Sequence, residues 1–431
     1  SEMCIRDRDN GIVLGMIVLL GISTVLTGNE WIGWMNDLII FVLLVGILLH
    51  NFAQDTGWNF GKYLAEIVAA VCGAVCFIGK PFADGGAFYR SKKTRESHAG
   101  WYVLIGICAA VPCLMVLVLL LMSADMVFAD LLVRFAGVFR FPVKLLRILL
   151  MLVFGFLSSY CGVRYVQKHA ADIKPSAGKT AEPLIAIAFT APIAVLYLLF
   201  SAIQIVYLFI GNMQLPAGVT YAEYARRGFF QLLFVCVLNL AAVLFIQSYF
   251  KENRVLKALL LAISGCTLIM TASSACRMLL YIRAYQLTFL RVSVLVALAV
   301  IALLMAGVIA KIVKPQFPLF RYGFVLAGAV YLVFAFSHVD YFIAAYNLTH
   351  TSWEASGEET VDYSYLYTLS TDAASAIEKY AGKSGAADYR KQGWYQLYCE
   401  ANEEALNETG LRTYNVSHAV AKQLLMEDNR E

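Results

Sequence analysis

Charge is what this sequence has least of. Only 15% of its 431 residues are Asp, Glu, Lys or Arg, 60% are apolar, and the mean hydropathy is +0.68. Soluble domains carry roughly a quarter charged residues, so a water-exposed globule is excluded, and such hydrophobicity equally excludes a disordered chain. The motifs of common chemistries are missing as well: no GxxxxGK(S/T), no HExxH, no GxSxG and no glycine-rich dinucleotide turn occurs. The ten cysteines form no CxxC and the six histidines are scattered, so no metal site and no cofactor is expected. Proline is absent after residue 346, although nine occur before it.

Long apolar runs separated by short basic stretches fill most of the chain. A membrane-crossing helix needs about 20 apolar residues, because the hydrocarbon core is about 30 Å thick and a helix rises about 1.5 Å per residue. Nine segments meet or approach that length: 11–27, 38–53, 101–122, 145–165, 183–211, 228–249, 257–281, 289–312 and 322–345. A tenth, 63–79, carries Glu66 and is placed in the interface or across the bilayer. The expected fold is therefore all-α, a polytopic helical membrane protein with about nine transmembrane helices (eight to ten) and a small helical soluble appendage at its C-terminus. The bilayer is the expected partner, and no nucleic acid is expected.

Four regions are expected. Residues 1–8, SEMCIRDR, resemble translated sequencing adapter, which predicts that helices upstream of residue 11 are missing. Residues 9–100 hold the first membrane segments and a basic loop, 101–346 the transmembrane body, and 347–431 an acidic helical domain. The last region holds 7 basic and 14 acidic residues, leaving 27 and 16 for the rest, so an acidic appendage follows a basic membrane body. Within it, helices are predicted over 369–382 with Ser370 or Thr371 as cap, over 387–406 with Trp394, Leu397 and Cys399 buried, and over 416–428 with Asn415 or Ser417 as cap. Without a Gly/Ser or Pro-rich linker before it, this region is expected to dock closely on the body or on a partner.

The densest basic cluster, Lys80, Arg90, Lys92, Lys93 and Arg95, places loop 80–100 in the cytoplasm. Counting spans from there puts 250–257 and 311–321 inside, and 123–144, 212–227 and the acidic tail outside a cytoplasmic membrane.

Polar residues near the membrane are the candidate contacts for a ligand. Arg277 lies late in the 257–281 span and could pair with Asp340, forming an outer polar cluster with Tyr281 and His338 that binds an anionic headgroup or acts as a gate; snorkelling of Arg277 to the interface is the simpler alternative. Glu223, Arg226 and Arg227, opening the helix after Pro216 and Gly218, form a second group, to which Asp125 is added as an acid/base residue. The N-x-S/T triplets at Asn347, Asn407 and Asn415 are read as chance matches or helix caps.

Several of these segments form an ordered series: LMSADMVFADLL (121–132), TYAEYARRGFFQLL (220–233), YIRAYQLTFLRVSV (281–294), DYSYLYTLSTDA (362–373) and TYNVSHAVAKQLL (413–425). The series resembles an uncharacterised bacterial family of multi-pass membrane proteins, known as a domain of unknown function, over most of residues 100–425. The resemblance implies an integral membrane fold with a helical C-terminal appendix and no assigned activity. It carries over Ala124, Asp125, Tyr221, Tyr224, Arg226, Arg227, Gly228, Tyr285, Leu287, Thr288, Arg291, Asp362, Tyr365, Leu366, Ser370, Asp372 and Asn415. Gln286 stands where the family has glycine, and Tyr414 where it has tryptophan. The expected function is a non-enzymatic envelope protein whose outer face binds a lipid, an envelope polymer or a protein partner. The alternatives are a secondary transporter and a membrane transferase acting on lipid-linked substrates.

Overall fold

The computed structural model describes residues 2–53, 58, 60–81, 83–85, scattered positions between 106 and 128, 143–169, 179–206, 229–350, 352–353, 359–360, 363–381, 389–407, 410 and 413–427. The helices before the tail are α1 (Glu2–Leu26), α2 (Glu30–Phe52), α3 (Phe60–Cys76), α4 (Val143–His169), α5 (Pro183–Gln204), α6 (Phe229–Tyr249), α7 (Arg254–Tyr285), α8 (Phe289–Val313), α9 (Leu319–Phe336) and α10 (Val339–Thr349). Seven of the described helices are long and apolar enough to cross a membrane: α2, Ile148–His169 within α4, and α5 to α9. The chain is thus an all-α polytopic membrane protein, whose outward-facing Leu, Val and Phe side chains suit a bilayer.

Three expectations change. The predicted 322–345 span is two helices: α9 ends at Phe336, His338 takes a left-handed conformation (φ 46, ψ 60), and α10 restarts at Val339. Hydropathy hid this break, because no proline or glycine marks it. Second, the helix predicted over 63–79 runs instead over Phe60–Cys76, and its Glu66 pairs with Lys62 at 2.7 Å, one turn back. Third, α1 runs without a break from Glu2, where a span from residue 11 was expected. The 101–122 segment lies mostly outside the described residues.

The chain forms two compact units, 1–43 with 177–431, and 44–176. In the second, Ala70 of α3 and Val166 of α4 pack together with Leu49 from the end of α2. Gly73 permits that approach, since a Cβ there would meet the Tyr165 ring at 2.2 Å.

In the first unit α5, α6, α7 and α8 form a bundle, with α9 packed on α8 and α1 packed on α9. The tail follows as a two-stranded turn of β1 (Ser352–Trp353) and β2 (Glu359–Thr360), then α11 (Tyr363–Leu366), a 3-10 turn (Thr371–Ala373), α12 (Ala374–Tyr380), α13 (Gly393–Ala401), α14 (Glu403–Asn407) and α15 (Val416–Lys422). Its core is shared with the body: Leu366, Leu369, Ala373, Ile377, Tyr398 and Leu406 form one apolar cluster with Ile32, Ala335, Ile343 and Leu348. Five such short helices bury little by themselves, so their stability comes from this shared cluster. On α13 the buried face is Trp394, Tyr395 and Tyr398, while Leu397, expected inside, is 47% exposed.

Candidate functional site

The described polar groups converge where the tail meets two corners of the body, the α1–α2 turn and the α9–α10 break. Because α9 stops at Phe336, Asp340 falls in the first turn of α10, where a carboxylate faces the positive end of the helix dipole. Its Oδ2 accepts hydrogen bonds from Asn29 Nδ2 (2.9 Å), Ser370 Oγ (2.6 Å) and the Ser370 amide (3.2 Å). Asp372 is held in parallel. It accepts from Thr27 Oγ1 (2.6 Å) and the Gly28 amide (2.8 Å), with His338 Nδ1 at 3.4 Å. Thr371 and Ser417 share a hydroxyl contact of 2.8 Å beside them. Asn415 caps α15 through Oδ1 and donates with Nδ2 to the Thr24 and Thr27 carbonyls. The Tyr398 hydroxyl donates to the Ser370 carbonyl at 2.9 Å.

Gly28 is required here by space. A Cβ on it would stand 2.0 Å from Thr371 Oγ1 and 3.0 Å from Ser417 Oγ.

Burial sets the electrostatics. It pushes the Asp340 carboxyl above the ordinary carboxylate value, against the hydrogen bonds from Ser370 and Asn29. Burial also works on Asp372, but donation from His338, Gly28, Ser417 and Thr27 outweighs it and holds that carboxyl below the ordinary value. His338 is raised, first by its hydrogen bond to Asp372 and against partial burial. The pair therefore favours imidazolium beside carboxylate.

A second locked corner lies at the α7–α8 turn. Gln286 adopts φ 64 and ψ −177, a conformation open almost only to glycine, at the position where the family pattern suggested glycine. Its amide donates to the His350 carbonyl at 2.8 Å. Asn347 is fully buried, accepting from the Leu287 amide and donating to the Leu287 carbonyl, both at 2.9 Å. Thr288 caps α8, Arg291 closes the carbonyls of Tyr285 and Gln286, and the Phe289 amide donates to the Tyr365 hydroxyl at 2.8 Å. Residues carried over from the family resemblance, Tyr285, Leu287, Thr288, Arg291, Tyr365, Leu366, Ser370, Asp372 and Asn415, thus gather where the tail is fastened.

The predicted cluster of Arg277, Tyr281, His338 and Asp340 divides. His338 and Asp340 belong to the tail junction. Arg277 is buried in α7 at 8% exposure, and among the described residues no ion pair joins it to Asp340. Tyr281 instead stacks under the Arg291 guanidinium, 4.5 Å from the ring centre. Asp125 is exposed and accepts from the Val127 amide at 2.8 Å, a local turn contact. Glu223, Arg226 and Arg227 lie outside the described residues.

Sequence reasoning passed over a polar line inside the bundle. Tyr197 donates to Asn239 Oδ1 (2.9 Å), Asn239 donates to Thr267 Oγ1 (3.0 Å), and Ser273 donates to Gln204 Oε1 (2.7 Å). The signal was present: Asn239 and Gln204 are amides inside otherwise apolar spans, costly in lipid unless a neighbouring helix supplies a partner. Among the described residues no group of three or more His, Cys, Asp or Glu could hold a metal ion.

No curated protein and no solved structure matches the chain. A family model does, and it begins within α1 and ends at the close of α12, so it takes in the first hundred residues that the motif series left out and stops short of α15. Described as Domain of unknown function (DUF4153), it matches residues 14–380, and the chain belongs to that family.

Proposed function

We propose that this is a non-enzymatic protein of a bacterial cytoplasmic membrane, oriented with its tail outside, where it binds an envelope lipid, an envelope polymer or a protein partner. The observation that carries the reading is the use made of the two buried carboxylates. Asp340 and Asp372 are committed to donors of their own chain, so they serve as fasteners of the tail. A general acid or base needs a free path to a reacting group, and both carboxylates are buried against donors of their own chain. The docked tail turns Leu397, Tyr414 and Val420 outward, at 47%, 60% and 46% exposure, and these are the side chains offered to a partner. The orientation draws support from charge: the described loops at the other end of the bundle are basic.

Photo-crosslinking groups placed at 397, 414 and 420 in intact cells test the proposal. Discrete adducts from these positions, lacking from position 185 on the lipid-facing side of α5, are expected. Adducts equal at all four positions would sink it.

A secondary transporter is the second reading, and the amide and hydroxyl line from Tyr197 through Asn239 to Thr267, with buried Arg277 one helix turn beyond Ser273, favours it. Solute-driven currents in proteoliposomes that vanish in Asn239→Leu would support that reading over the first. The transferase alternative gains nothing from Asp125, whose carboxylate is used in a turn.

A further inference from the structure

The end of the bundle opposite the tail is built from the start of α5, the α6–α7 turn and the α8–α9 turn. One cluster brings them together, with Ala186, Leu256, Val308 and Ile312 in its core and Leu319 packed against it. Two strapping contacts hold the rim: the Lys251 amide donates to the Ala181 carbonyl, and Lys179 and Lys257 both reach Glu252, at 2.8 and 2.6 Å. Lys251 pairs with Glu182 at 2.8 Å. These two glutamates are the acidic residues described there, and both are taken. Arg254, Lys311 and Lys314 have no carboxylate partner among the described residues, and Arg321 stands in the first turn of α9.

Two of these cations, Lys311 and Lys314, stand at the α8–α9 turn, which is stiff. Pro315 and Pro318 fix its backbone, and Lys311 Nζ donates back to the Pro315 carbonyl at 2.6 Å. Beside the cations the same turn exposes apolar surface, Val313 at 61% and Phe320 at 36%. Cations and exposed hydrocarbon in the same turn select an amphiphile carrying negative charge. A free anion would use only the first, and a soluble acidic protein would leave the second wet.

We propose that the α8–α9 turn, through Lys311, Lys314 and Arg321, binds the phosphate of anionic phospholipids of the phosphatidylglycerol class, with acyl chains against Val313 and Phe320. This surface is independent of the outer-face reading, and either can fail alone. Basic side chains at an anionic headgroup layer contribute ~1 kcal/mol each, about fivefold in affinity.

The test uses the full chain in dodecyl maltoside, titrated with phosphatidylglycerol, phosphatidylcholine or inorganic phosphate and read by native mass spectrometry and melting temperature. Phosphatidylglycerol should bind more tightly than phosphatidylcholine and raise the melting temperature more. The triple variant Lys311→Gln, Lys314→Gln, Arg321→Gln should lose that preference by roughly a hundredfold, whereas Arg283→Gln, at the other end of α7, should keep it. Sodium chloride at about 1 M should abolish the preference in the unmodified protein, an arm that needs no variant to fold. Equal binding of the two lipids, a triple variant that keeps its preference, or the same stabilisation by inorganic phosphate alone would overturn the proposal.

Discussion

At the residue scale the tail junction depends on Gly28. Any side chain there must displace Thr371, whose hydroxyl is already committed to Ser417. Gly28→Ala is expected to destabilise by ~1–3 kcal/mol, the usual cost of overpacking, and to make the tail sensitive to protease while the spans stay helical. Unchanged proteolysis would show that the turn yields instead. Gln286 gives a comparison between two losses. Gln286→Ala keeps the φ 64 strain and loses the bond to His350, whereas Gln286→Gly loses the bond but relieves the strain. The glycine variant should therefore melt above the alanine variant, by a difference of about 1–2 kcal/mol. The reverse order would mean that the backbone is not strained.

At the element scale the break between α9 and α10 decides what Asp340 can do. The left-handed His338 turns α10 so that Asp340 meets Asn29 and Ser370. In double-mutant cycles read by melting temperature, Asp340→Ala with Ser370→Ala should be non-additive by about 0.5–3 kcal/mol, and Asp340→Ala with Arg277→Ala additive. Coupling of the second pair would restore the ion pair expected from sequence. The junction also titrates. His338 is raised above its ordinary 6.5, so its contribution is complete below that value and is lost as pH rises through the higher folded value. Asp372 is lowered below 3.8, so its contribution is present above 3.8 and lost as pH falls through the folded value. Asp340 has the opposite sign, since a raised carboxyl favours the folded state when protonated. Protease resistance of the tail should be highest near pH 4, weaken as Asp340 loses its share above 3.8, and decline again as pH rises past 6.5 and His338 deprotonates. His338→Gln should remove the step above pH 6.5, and a step that persists there would assign that titration elsewhere.

At the scale of the molecule, the helical bundle separates charge. Lysines and arginines gather at the α8–α9 end, and the acidic tail is fastened at the other. A bilayer reads that asymmetry as orientation. Membrane-impermeant thiol reagents on intact cells should label a cysteine at Tyr414 directly and one at Lys314 only after permeabilisation, in a background lacking the native cysteines. The opposite pattern would invert the proposed topology and move the phospholipid surface to the outer leaflet.

Composition and apolar run length alone determined that this is a helical membrane protein, because continuous apolar runs of about 20 residues satisfy their backbone in lipid as helices, whereas barrel strands are about half as long and alternate. They also located α6, α7 and α8 and the start of α5 to within about four residues at each end. Local caps were legible too: Asn415 was named as a cap from sequence and is one. What hydropathy could not see was the turn at Ser337 and His338, which is set by contacts with a tail thirty or more residues away, and the register of α13, where Tyr398 and not Leu397 faces inward. Nor could spacing pair Thr27 with Asp372 or Asn29 with Asp340, residues more than three hundred positions apart. Partner choice for a buried carboxylate is a matter of which donors packing delivers, and packing is decided by the tertiary structure.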